Sequence, residues 1–100
     1  MEFNFDEAQF EWDENKARIN FSKHGIRFET AVKVFKDPDK LIREDLEHTE
    51  ELRYNVIGRV NKIFFVVCLL KEENTIRMIS ARLATKAEKE RYMSDEEDFI

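Results

Sequence analysis

A chain of 100 residues with 42% hydrophobic content is long enough for one compact core and too short for two. No apolar run approaches the roughly 20 residues that span a bilayer, and the N-terminus MEFNFDEAQFEWDE lacks the basic region of a signal peptide. A cytoplasmic protein with no membrane partner is therefore expected. The net charge of −5 is unevenly spread, because residues 1–14 carry six carboxylates and no Lys or Arg, and residues 95–98 carry four more. The stretch 15–94 holds all 17 basic residues against 12 of the 22 acidic ones. A basic body between acidic ends suits an RNA partner, and equally an ordinary solvated surface. One domain over 1–100 is expected, with residues 1–8 and 94–100 as flexible acidic ends.

In chain order, Gln9 to Trp12 reads as a short edge strand, and Asp13 as the N-cap of a helix running to about His24, where Gly25 supplies the left-handed stop. Phe28, Ala31, Val32 and Phe35 have helical spacing, and Asp37-Pro38 ends that helix. Lys40 to Asp45 reads as a strand, followed by a polar loop through Glu51. Leu52, Tyr54, Val56 and Gly58 alternate with Arg53, Asn55, Ile57 and Arg59, the period of a half-buried strand. After a turn at Asn61-Lys62, Ile63 to Leu70 is apolar on both faces and belongs at the centre of a sheet. So short a chain has little material to cover both sides of it, and one side is expected to be completed by a partner. Cys68 lies in this run with no second cysteine to pair with, and reads as core. Thr75 to Arg82 returns as a strand, and Thr85 with Glu88 forms a capping box for a last helix through Met93. The order β-α-α-β-β-β-β-α predicts an α+β fold, an antiparallel sheet of four to five strands packed by helices.

These residues also carry a family resemblance. Trp12-Asp13, Lys16, Asn20, Lys23-His24-Gly25, Phe28, Ala31, Val34-Phe35 and Asp37-Pro38 resemble the N-terminal signature of the BrnT family. Arg53, Ile57-Gly58, the run Ile76 to Arg82, Ala84-Thr85, Glu88 and Tyr92 continue the match in order through about residue 93. The resemblance implies a RelE-like fold and a ribonuclease toxin that blocks translation. It also implies neutralisation by a BrnA-type ribbon-helix-helix antitoxin in a toxin–antitoxin heterotetramer, with operator DNA contacted only through the antitoxin. A protein of the same fold that acts only by binding its antitoxin is the competing reading.

RNA cleavage by attack of the 2′-hydroxyl needs a base, cations around the phosphorane and an acid for the leaving oxygen. No cluster of Asp, Glu and His with metal-ligand spacing stands in the sequence, so neither a two-metal mechanism nor a cofactor is expected. Arginine suits the cationic role through its planar, permanently charged fork. The catalytic candidates are Arg59, Arg77 and Arg82, with His24 as base or acid. Arg77 and Arg82 lie an odd number of residues apart, which puts them on opposite faces of a regular strand unless a bulge intervenes. The competing reading of each arginine is an ion pair or a solvated side chain. For His24 it is a favourable charge at a helix C-terminus, and His48 reads as a surface residue. Lys23, Lys86, Arg91 and Tyr92 are the RNA-binding candidates, with Tyr92 either a stacking ring or a core residue.

Overall fold

Asp13 opens α1 (Glu14–His24) by accepting hydrogen bonds on Oδ1 from the backbone N–H groups of Asn15 (2.7 Å) and Lys16 (3.2 Å). Gly25 closes it at φ +69°, with its N–H bonded to the Phe21 carbonyl at 2.8 Å. The computed structural model describes residues 3–45 and 52–94, so His48 and residues 95–100 lie outside the described residues. Within them the elements follow the expected order. β1 (Gln9–Glu11) precedes α1, and α2 (Phe28–Ala31) is one turn that tightens into a 3-10 turn over Val32–Lys36. The β-branched Val32 and Val34 and the stop at Asp37-Pro38 favour that tightening over a continued α-helix. Then come β2 (Leu41–Glu44), β3 (Arg53–Val60), β4 (Lys62–Lys71), β5 (Thr75–Leu83) and α3 (Lys86–Ser94).

The strands form one sheet in the order β1-β5-β4-β3-β2. β2 to β5 make an antiparallel meander, but β1 runs parallel to β5, so the sheet is mixed rather than antiparallel throughout. Asn74 explains the direction. Its side-chain amide donates to the Asn4 carbonyl (2.7 Å) and accepts from the Asn4 N–H (2.8 Å), while its own carbonyl accepts from the Gln9 N–H (2.9 Å). Both strands therefore enter the sheet from the same end. The N-terminal segment expected to be flexible contributes packing from Phe3 onward: Phe5 stacks on Phe35 with ring centroids 5.9 Å apart.

One face of the sheet carries the main core. Val56, Phe64, Val66, Cys68, Ile76, Met78 and Ala81 meet Phe28, Ala31, Val34 and Phe35 from the helical layer. Burial pushes the Cys68 thiol up to about 12, which suits an inert core residue. Gly58 allows this layer to approach: a Cβ there would stand 2.8 Å from Val34 Cβ. Among the described residues the second face is covered at one end only, where Ala84, just before α3, and Tyr92 of α3 pack onto Ile57 and Ile63, with Leu41 and Phe65 alongside. Ile63 to Leu70 is thus apolar on both faces, but only one face receives a full layer from the described residues.

β1 pairs with β5 only over Thr75, Ile76 and Arg77, so the outer edge of β5 needs other partners further along. Asn20 supplies them at Ala81. This buried side chain accepts from the Ala81 N–H (3.0 Å) and donates to the Ala81 carbonyl (2.9 Å) and the Ile26 carbonyl (3.0 Å). Replacing it by alanine strands two buried backbone groups at Ala81 and a partly buried one at Ile26. Asn20→Ala is expected to cost about 2 kcal/mol or more and to lower Tm by about 10 °C or more, measured by thermal unfolding beside Asn15→Ala at an exposed position. Equal melting temperatures for the two variants would show that the clamp adds nothing.

Candidate functional site

The half-covered second face is organised by the strand register into rows that run across the sheet. Arg53, Leu69, Arg77 and Glu11 form one row, Arg43, Asn55, Val67 and Ser80 the next, and Leu41, Ile57, Phe65 and Arg82 the third. α3 reaches the third row and leaves the first two without a covering element among the described residues. These rows exist because β5 is irregular. Val67 pairs with Ser80 while its neighbour Cys68 pairs with Met78, so Ile79 is an extra residue in the strand. The bulge reverses the alternation: Met78 and Ala81 both point into the main core, and Arg77 and Arg82 both project from the second face. The opposite-face placement expected of a regular strand does not occur.

Both arginines are paired within the molecule. Arg82 makes a two-pronged contact with Glu88, at 2.8 and 3.0 Å, and its guanidinium lies 4.3 Å from the centre of the Phe65 ring. Glu88 also closes the expected capping box by accepting from the Thr85 N–H (2.8 Å), while its own N–H donates to Thr85 Oγ1 (3.2 Å). The Arg82 guanidinium is the main reason that the Glu88 carboxyl lies below the usual range, and it outweighs the opposing effect of burial. Arg77 donates to Glu11 at 2.9 Å, and Lys71 reaches the same oxygen at 3.1 Å. These two cations hold Glu11 below its ordinary value, Arg77 most strongly. Glu11 is 38% exposed and Glu88 15%; an arginine paired with a carboxylate is a cation held in place, and a phosphate has the same fork-binding geometry as the carboxylate.

Arg59 stands at the far end of this face, exposed, with its guanidinium 5.7 Å from the Tyr92 ring and bonded to Met93 Sδ at 3.5 Å. Tyr92 is 6% exposed and belongs to the small core under α3, which leaves little ring surface for a base to stack on. Its hydroxyl donates to Asp37 Oδ2 at 2.6 Å, and the Arg59 N–H donates to the same oxygen at 2.8 Å. Burial together with the Asp37 carboxylate pushes the Tyr92 phenol up to about 12. Lys86 and Arg91 are exposed on α3, beyond the Arg82 end of the face. Lys23 and His24 are exposed in the last turn of α1, on the helical layer that covers the other face, and no contact joins them to the arginines. Gly58, next to Arg59, is approached by Val34 from the helical layer.

Sequence reasoning missed the carboxylate that pairs with Arg77 and the polar residues between the arginines. Asn55 shares its parity with Arg53 in a regular strand, so alternation alone identifies it. Ser80 and Glu11 carry no such signal, since one depends on the bulge and the other on the parallel pairing of β1.

The carboxylates of this region give a pH dependence of fixed sign. Burial of Asp37 opposes ionisation, yet hydrogen bonds from Tyr92 and from the Arg59 and Asp39 N–H groups leave its carboxyl lowered, as Glu88 is by Arg82. A carboxyl lowered by folding contributes stability that is full above its unfolded value and is lost as pH falls through the folded one. Thermal stability is therefore expected to drop as pH falls below about 4, and the drop should be shallower in Glu88→Gln and Asp37→Asn. Identical acid profiles in wild type and both variants would contradict the assignment.

The chain and its fold have known counterparts. A family model described as the ribonuclease toxin BrnT of type II toxin–antitoxin systems matches residues 12–88. The crystal structure of the Brucella abortus ribonuclease toxin BrnT is similar in fold, with a TM-score of 0.61 and 24% identity, covering 79% of this chain and 99% of that one. No curated protein sequence matches the chain. With the family pattern running from β1's end into α3 and the fold shared, the chain belongs to the BrnT family of ribonuclease toxins of type II toxin–antitoxin systems.

Proposed function

We propose that this protein cleaves single-stranded RNA on the second sheet face without a metal ion, that the cleavage blocks translation in the cytoplasm, and that a BrnA-type ribbon-helix-helix antitoxin neutralises it in a heterotetramer. What supports the reading is the bulge at Ile79, through which two arginines of β5 share one face with half-buried Phe65, Val67 and Leu69 of the neighbouring β4. In this reading a phosphate takes the fork of Arg82 in place of Glu88, and Arg77 meets a neighbouring phosphate in place of Glu11. Stabilisation of charge on the phosphorane carries most of the rate. Glu11 and Glu88, displaced from their cations, lose the interactions that hold their carboxyls low and become better proton acceptors for the 2′-hydroxyl. Lys86 and Arg91 extend the cationic path along α3, and Arg59 guards its far side. Lys23 and His24 take no step on this face.

The test keeps the charge and removes the fork. Arg77→Lys and Arg82→Lys are expected to reduce RNA cleavage by about 10²-fold or more, and to relieve the growth arrest caused by wild-type overexpression. Their Tm should move by only a few degrees, because partly exposed ion pairs contribute about 0 to 1 kcal/mol. Cleavage unchanged in both variants would overturn the arginine-centred reading. Loss of cleavage in proportion to loss of folded protein would return both residues to a structural role.

A further inference from the structure

Between the two arginines on β5 lies a row with hydrogen-bonding capacity that the fold does not use. Asn55 and Ser80 both pair with Val67, one from each side, so their side chains flank it on the second face. Two strand spacings separate them, roughly 10 Å. Both are half-buried, and neither side chain makes a hydrogen bond among the described residues. This is unlike the other structural asparagines, since Asn4, Asn20 and Asn74 each spend their side-chain amide on backbone groups. An amide held on a rigid central strand between cationic rows, over an apolar floor, is placed to read a planar group with donors and acceptors on its edge.

We propose that Asn55, with Ser80, is the base-reading element of this face and sets which nucleotide the protein selects. The inference rests on the proposed RNA site and adds a role for residues that bind no phosphate. With phosphates at Arg77 and Arg82 on either side of Ser80, the intervening base extends from β5 across Val67 toward β3. There its edge meets the Asn55 amide, which presents one donor group and one acceptor side by side. Such a two-point contact discriminates among bases, whereas the arginines bind every nucleotide alike. Ser80 Oγ donates or accepts near the sugar-proximal edge and restricts how the base lies. Val67, aliphatic and half-exposed, gives the base an apolar surface beneath it without adding sequence preference.

The test uses the full chain and four single-stranded oligoribonucleotides that differ in one central base. Each carries a 2′-O-methyl group on the ribose whose hydroxyl would attack, so binding is read without cleavage. Fluorescence anisotropy of the wild type is expected to show a preference of about tenfold or more for one base over the poorest. Asn55→Ala should bring the four affinities within about threefold of one another, and Asn55→Asp, which replaces the donor by a second acceptor, should change the order of preference. Ser80→Ala should narrow the preference less. Tm should stay near that of the wild type in all three variants, because neither side chain holds another group in place. Four equal affinities in the wild type, or a preference that survives Asn55→Ala and Asn55→Asp unchanged, would overturn the inference. The cleavage reading fails separately. If the wild type discriminates among the blocked oligonucleotides but leaves their unblocked counterparts intact, base reading stands and catalysis on this face falls.

Discussion

β5 must satisfy two edges although its outer neighbour, β1, is only three residues long. A strand edge left open inside a small domain exposes backbone donors and acceptors that neither water nor sheet fully serves. Two asparagines complete that edge. Asn74 joins the start of β5 to the N-terminal segment, and Asn20 reaches from α1 to Ala81. Between them sits the bulge at Ile79. With one end tied to β1 and the other to α1, the extra residue is absorbed inside the strand rather than by a slip of the whole register. The same constraint holds α1 against the sheet, because Asn20 binds the Ile26 carbonyl and so fixes the link into α2.

The proposed RNA-binding face follows from this geometry rather than from any unusual residue. A regular strand would send one of Arg77 and Arg82 into the layer that holds Phe28 and Phe35, where an unpaired guanidinium is costly to bury. The bulge lets Met78 and Ala81 share the core while both arginines stay on the opposite side. Their carboxylate partners keep each guanidinium ordered in the absence of ligand. They also neutralise the positive field of the two guanidiniums locally and count toward the chain's net charge of −5. The acidic balance and the proposed RNA site are therefore compatible: two of the carboxylates in that balance occupy the forks assigned to phosphates in the proposal. An antitoxin supplying carboxylates to the same forks would compete on equal chemical terms.

Much of the fold was legible because its punctuation is local. Asp13, Gly25, Asp37-Pro38 and the Thr85–Glu88 box act through backbone groups a few residues away, so their effect is visible in sequence order. Alternation in β3 and the continuous apolar run of β4 are likewise signals carried by neighbouring residues. What was not legible is long-range. The parallel direction of β1 depends on an Asn74–Asn4 contact across 70 positions, and the parity of Arg82 depends on one extra residue among Met78, Ile79 and Ser80, none of which is a glycine or proline that would mark it. The same limit applies to the site. Arg77 and Arg82 were recognisable as candidates from their chemistry, but their convergence was not, and Glu11 gives no sign in sequence of meeting Arg77 from 66 positions away. Tyr92 was ambiguous between ring stacking and burial, and its packing on Ile57 and Ile63 decides for burial.

The central claim is one of location: RNA engages the second face of the sheet through the Arg77 and Arg82 forks, and not the helical layer that carries Lys23 and His24. It is tested most directly by NMR titration of the labelled protein with a short single-stranded RNA blocked at its 2′-hydroxyls. The account predicts that the guanidinium Nε signals of Arg77 and Arg82 and the backbone amides around Asn55, Val67 and Ser80 shift together with saturation, while α1 is unperturbed. Saturable shifts confined to the end of α1, with both arginine signals unmoved, would contradict it.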